Sequence, residues 1–186
     1  MRKQRLHSLI LQTCATTWLL ACGAATAFAA SSSSWETDTH SAVRLLAARP
    51  IVESGVRYLR AGVEIKLQHG WKTYGRDPGD SGVPPTFDFA GSDNVKSVAV
   101  LWPEPERFAE GDGFTMGYKD DVVFPLRVVP RTRARPVTLR LNLEYAVCEK
   151  LCIPAKAKLE LVLTRAGGAF DDEVSAAEAR VPNPAK

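Results

Sequence analysis

The chain is poor in the residues from which metal and nucleophilic sites are usually built. Its 186 residues include four cysteines, three histidines and two methionines. Structural zinc takes four ligands, and beyond the N-terminal segment only Cys148, Cys152, His40 and His69 remain, the histidines far from the cysteines. Two thiolates can hold copper(I), but Met116 is the only methionine left to assist them. No metal and no prosthetic group is therefore expected. The chain also lacks a Cys-x-x-Cys, a P-loop lysine, a dinucleotide glycine fingerprint and a nucleophile elbow. Asp77, Asp80 and Asp88 have no companion feature that would suggest hydrolysis. Past the N-terminus there is no second apolar run, no internal repeat and no long helical pattern.

At the N-terminus, Arg2, Lys3 and Arg5 precede a mostly apolar stretch from Leu9, and Ala27-Phe28-Ala29 places small residues where a signal peptidase reads them. Gln12, Thr13, Thr16 and Thr17 interrupt the apolar stretch, so residues 1–29 read as a secretory signal rather than a membrane anchor. Within the same segment, Leu19-Leu20-Ala21-Cys22 resembles a bacterial lipobox, the alternative that would keep Cys22 as a lipidated first residue. Both readings imply export, to a Gram-negative periplasm, with the protein soluble unless lipidated at Cys22. Cleavage after Ala29 removes three basic residues and no acidic one. The 24 basic residues then fall to 21, equal to the 21 acidic ones. A chain without net charge is not built to attract nucleic acid or an anionic surface over long range. The one basic cluster, RTRAR at 131–135, stands between Pro130 and Pro136 and reads as a solvated turn.

What is present is period-two patterning. Val63, Ile65 and Leu67 alternate with polar residues, as do Val137 to Val147 and Leu159 to Leu163. Shorter strand candidates are 43–48, 86–89, 95–102 and 122–129, the last with Pro125 inside it, which favours an edge or a bulge. Strands separated by Gly/Pro turns predict an all-β fold, an antiparallel β-sandwich over 42–165. Residues 30–41, mostly polar, read as a flexible leader. The tail, 166–186, is expected to hold a short helix, with Phe170, Val174, Ala177 and Val181 on one face and Asp171, Asp172 and Glu173 in its first turn.

In YAVCEKLCIP, 145–154, Cys148 ends the long alternating strand and Cys152 opens the next. In one straight strand they would stand ~13 Å apart, too far to bridge. A reversal over Glu149-Lys150-Leu151 would set them opposite each other, at a Cα separation of about 4.5–5.5 Å. So short a loop makes a weak brace, about 2 kcal/mol in the chain-entropy model. The residues leave three readings, in the order reactive disulfide, inert bridge, metal site. Two further segments read as loops. GWKTYGRDPGDSGVPP, 70–85, is a long shaped connection. EGDGFTMGYKDD, 110–121, carries Phe114, Met116 and Tyr118, which either pack down or form a contact surface.

GWKTYGRDPGDSGVPPTF, LWPEPERF, MGYKDDVVFPL and LEYAVCEKLCIPAKAKLEL resemble, in this order, the periplasmic N-terminal domain of the thiol:disulfide interchange protein DsbD, nearest its ScsB-like, copper-sensitivity-suppressor variant. The resemblance covers about 42–165. It implies an immunoglobulin-like sandwich whose cysteine pair passes electrons to periplasmic thioredoxin-fold proteins without a cofactor. It makes Cys152 the attacking thiol and Cys148 the resolving one. An aromatic residue capping the pair is also implied, with Phe114 the best match and Tyr118 second. Best-known members place five residues between the cysteines, where this chain has three. They also continue into membrane and thioredoxin domains; the expectation here is a separate membrane-embedded electron donor, the alternatives being that the chain is a truncated relative or that the domain has lost the relay role. The alternative is a non-catalytic immunoglobulin-like binding or copper-handling module with a permanent disulfide.

Overall fold

The alternation along Val137–Val147 runs on to Cys148, and the chain reverses there into an equally regular strand. The computed structural model describes residues 30–80 and 82–182. The signal segment 1–29, with the alternative lipid site at Cys22, lies outside the described residues. In chain order the strands are β1 (Glu36–Thr37), β2 (Ser41–Ala47), β3 (Ile51–Glu53), β4 (Val56–Leu67), β5 (Lys72–Gly79) and β6 (Thr86–Asp88). There follow β7 (Val95–Val100), β8 (Glu106–Glu110), β9 (Gly113–Lys119), β10 (Asp121–Pro130), β11 (Val137–Cys148), β12 (Cys152–Leu163) and the helix α1 (Asp171–Ala179).

One sheet has the order β1-β2-β4-β10-β7, with β3 on β4; the other runs β12-β11-β5-β9-β8, with β6 on β11. They stack as an immunoglobulin-like antiparallel β-sandwich. The core is made by alternate residues of the facing surfaces: Val43, Leu45, Val63, Ile65 and Phe124 from the first sheet, Leu139, Leu141, Leu143, Tyr145 and Val147 from the second. The Phe124 ring meets Phe87, Trp102 and Tyr118 edge-on, with centroids 5.3, 5.3 and 5.2 Å away.

Three expectations change. Residues 31–37 are not a free leader: the Ala47 N–H donates to the Ser31 carbonyl (2.7 Å), the Ser33 N–H to the Leu45 carbonyl (2.9 Å), and β1 pairs with β2. The edge of β2 offers unpaired backbone groups, and a polar segment can satisfy them without any apolar pattern. Pro125 lies in a central strand, between β4 and β7. It is tolerated because the β7 ladder begins only at Leu126, so no N–H is needed on that side. The segments 70–85 and 110–121 are not loops throughout, since they contain β5, part of β8 and β9.

The helix forms as expected but ends at Ala179, leaving Val181 beyond it. It covers the outer face of the first sheet through Val174, which is buried with Leu46 and Ala48. Gly62 permits the close approach: a Cβ there would stand 2.8 Å from Val123 Cγ1 and 3.2 Å from Val174 Cγ2. Under the helix lies Arg60, 4% exposed. Its guanidinium donates to Asp171 Oδ1 (2.7 Å), Glu178 Oε2 (2.6 Å) and Ser175 Oγ (2.7 Å).

Candidate redox site

Strands β11 and β12 pair without a break from Val137↔Leu163 to Cys148↔Cys152. Glu149, Lys150 and Leu151 close the hairpin, and none of them takes a positive φ. Cys148 and Cys152 are joined as a disulfide with their Cα atoms 4.2 Å apart, slightly closer than the turn argument anticipated. The two sulfurs are unequally placed. Cys148 sits on an inner strand with β5 alongside, packed with Tyr74 and Ala146, and is 1% exposed. Cys152 opens the edge strand β12 and is exposed.

The surroundings of the pair come from β5, β8 and β9. Lys72 is the register partner of Cys148, and two residues on, Tyr74 is fully buried with its hydroxyl 3.1 Å from Cys152 Sγ. A disulfide sulfur has no proton, so the phenol donates. Burial, and then the charge of Glu110, pushes the Tyr74 phenol up, which keeps it protonated and able to donate. The Lys72 ammonium donates to Glu110 Oε2 (2.7 Å) and to Thr115 Oγ1 (3.3 Å), and the Thr115 hydroxyl donates to Glu110 Oε2 (3.0 Å). These hydrogen bonds, Lys72 first, hold the Glu110 carboxyl below its usual range. Phe108 completes the group, with the Lys72 and Lys119 ammonium groups 5.6 and 4.6 Å from its ring centroid.

Strand parity decides which aromatic residues share this face. Thr115 touches Lys72, so Gly113, Thr115, Gly117 and Lys119 of β9 lie on the cysteine side. Phe114, Met116 and Tyr118 then point to the opposite side. Tyr118 is a core residue, its hydroxyl donating to the Pro103 carbonyl (2.8 Å). Phe114 lies under the Arg107 guanidinium, 4.1 Å from its ring centroid. Neither expected capping residue therefore faces the pair. Phe108 shares the cysteine side of the sheet, as the register partner of Thr115, and reaches the pair's surroundings through Lys72. Tyr74 and Phe108 were missed from the sequence. Gly75 and Pro78 interrupt β5, and β8 is only five residues long, so no period-two signal marked which side each residue faces.

A β-sandwich with a disulfide closing one terminal hairpin, one sulfur exposed and the other buried, defines an immunoglobulin-like thiol–disulfide domain. The family model described as "Thiol:disulfide interchange protein DsbD, N-terminal" matches residues 42–164, and the chain belongs to that family. Its structure is similar to the crystal structure of the N-terminal periplasmic domain of ScsB from Proteus mirabilis, with 28% sequence identity and a TM-score of 0.66. That match covers 84% of this chain and 61% of the other. Among curated proteins, none matches the chain. Among the described residues no helix is long and apolar enough to cross a membrane.

Proposed function

We propose that this domain relays reducing equivalents in the periplasm, from a membrane-embedded donor to thioredoxin-fold proteins, through Cys148 and Cys152. The observation that carries the reading is the asymmetry of the pair: an exposed sulfur with a phenol donating to it, backed by a buried sulfur. In the reduced domain the Cys152 thiolate attacks a partner disulfide. A Cys152–partner bond forms and one partner thiolate leaves. The Cys148 thiolate then attacks Cys152 Sγ, the mixed disulfide breaks, and the second partner thiolate leaves. The domain's pair is oxidised and the partner's disulfide reduced by two electrons, while the two thiol protons pass to solvent and return to the leaving thiolates. The Tyr74 hydroxyl, already aimed at Cys152, favours the thiolate that attacks first. Leu151 (79% exposed) and Ile153 (39%) flank the pair and offer apolar contact to a docking partner.

The test is the double variant Cys148→Ala, Cys152→Ala. Its unfolding free energy is expected to fall by no more than about 2 kcal/mol, the chain-entropy value for so short a loop. Its electron exchange with a thioredoxin-fold partner is expected to vanish. A variant unfolded at room temperature would make the bridge structural and remove the relay reading.

Shielding of the pair falls to Phe108 in this scheme. Phe108→Ala is expected to speed reduction of the disulfide by a small thiol several-fold, whereas Phe114→Ala leaves that rate unchanged. Stopped-flow reduction under pseudo-first-order conditions separates the two, and the reverse pattern would return the cap to Phe114.

A further inference from the structure

The cysteines occupy one end of the sandwich, and a second feature occupies the other. The β11–β12 ladder has twelve paired positions between Cys148↔Cys152 and Val137↔Leu163, which separates its ends by about 36 Å at ~3.3 Å per residue. Beside Leu163 lies a cavity of about 210 Å³. Buried Leu59 and Leu163 contribute its apolar wall, and Arg57, Arg133, Arg135 and Arg165 line it as well. Among the described residues no carboxylate lines this cavity. Arg135 pairs with Asp93 at 2.9 Å on the exposed surface. Among the described residues, Arg57, Arg133 and Arg165 form no ion pair.

The loop that carries two of these arginines is pinned from inside. Asn94, 6% exposed, donates from Nδ2 to the carbonyls of Thr132 (2.9 Å), Arg135 (3.0 Å) and Pro136 (3.1 Å). Its Oδ1 accepts from the Thr132 N–H at 2.8 Å. Asn94 itself holds a φ of 59°, in the left-handed region where asparagine is among the few tolerated side chains. RTRAR is thus a solvated turn at its guanidinium heads and a fixed one along its backbone. Fixing the backbone beforehand reduces the ordering that a ligand would otherwise impose.

We propose that this cavity binds a phosphate ester. Guanidinium groups present planar forks of N–H donors that match phosphate oxygens, and three of them here have no competing carboxylate among the described residues. The volume is below the ~300 Å³ at which pockets for drug-sized ligands begin, so it suits one tetrahedral oxyanion with a short apolar stem against Leu59 and Leu163. The phosphate can belong to a soluble ester or to a phospholipid headgroup.

Titration of the intact oxidised domain with phenyl phosphate, followed by amide NMR shifts at low salt, is expected to give saturable binding with Kd on the order of 1 mM or tighter. The double variant R133A/R165A should weaken it at least tenfold. N94A, which keeps all four guanidiniums, should also weaken it, and R140A, whose arginine pairs with Glu160 elsewhere, should not. Should N94A fail to fold, the double arginine variant still decides the matter. Flotation with phosphatidylglycerol vesicles separates the sources: retention that R133A/R165A abolishes assigns the headgroup, and its absence assigns the soluble ester. The proposal falls if neither phenyl phosphate nor the vesicles bind, or if R133A/R165A binds as the wild type does. The Cys148→Ala, Cys152→Ala variant should bind phenyl phosphate normally, so failure here is distinguishable from failure of the relay.

Discussion

With Cys148 replaced by serine, a thioredoxin-fold partner is expected to stay covalently attached through Cys152. The exposed sulfur can still attack the partner disulfide, but the buried thiol that would release the partner is gone. The converse variant, Cys152→Ser, leaves a thiol that is 1% exposed, behind Tyr74 and Ala146, and a partner cannot reach it without opening the hairpin. Access limits exchange as much as thiolate content does, so Cys148→Ser should yield roughly tenfold more adduct than Cys152→Ser. Non-reducing electrophoresis and mass spectrometry of the adduct would measure the ratio. Equal trapping by the two variants would rule out the assignment of roles.

The largest effect on stability is expected at Arg60. Its guanidinium lies under α1 and holds Asp171 at one end of the helix and Glu178 at the other. Removing one member of a buried ionic group usually costs about 3–5 kcal/mol, because the remaining charges lose their partner in a poorly solvated place. Asp171 retains Arg49 (2.7 Å) and Glu178 retains Arg127, so R60A should sit near the lower limit, about 3 kcal/mol. R140A, which breaks an exposed pair with Glu160, should cost less than about 1 kcal/mol. Urea unfolding of the two variants would compare them directly, and an R60A midpoint equal to that of R140A would show that the cluster does not hold the helix down.

The same cluster predicts a pH dependence. Hydrogen bonds from Arg49, and further down the charge of Arg60, hold the Asp171 carboxyl below its usual range. A carboxyl whose pKa is lower in the folded state contributes stability that is fully present above its unfolded value of about 3.9 and lost as the pH falls through the folded value. The stability of the wild type should therefore decline below about pH 4. The gap between wild type and R60A should narrow over the same interval, since a protonated Asp171 no longer needs the guanidinium.

Much of this architecture is legible in the chain. Val137 to Val147 and Leu159 to Leu163 alternate because each strand has one face in the core and the other in water, and that constraint acts residue by residue. The hairpin that joins Cys148 to Cys152 follows from the same alternation, since two strands meeting across three residues leave the cysteines opposite each other. Asp171, Asp172 and Glu173 likewise marked the start of α1, because helix starts favour carboxylates locally.

What could not be read depends on contacts between distant segments. Lys72 to Gly79 and Gly113 to Lys119 become strands by pairing with each other and with neighbours in the second sheet, although Gly75, Gly113 and Gly117 interrupt any apolar period. Once they pair, parity turns Phe114 and Tyr118 away from the disulfide and Phe108 toward its face, a choice that one residue of register would reverse. Arg60 reads as one more polar position in a strand until a helix beginning 111 residues later supplies its carboxylates. The alternating pattern thus determines which surfaces are buried, because burial follows from each residue's own affinity for water. Which side chains surround a given sulfur, and which charges meet beneath the helix, is decided only when strands and helix far apart in sequence are brought into register.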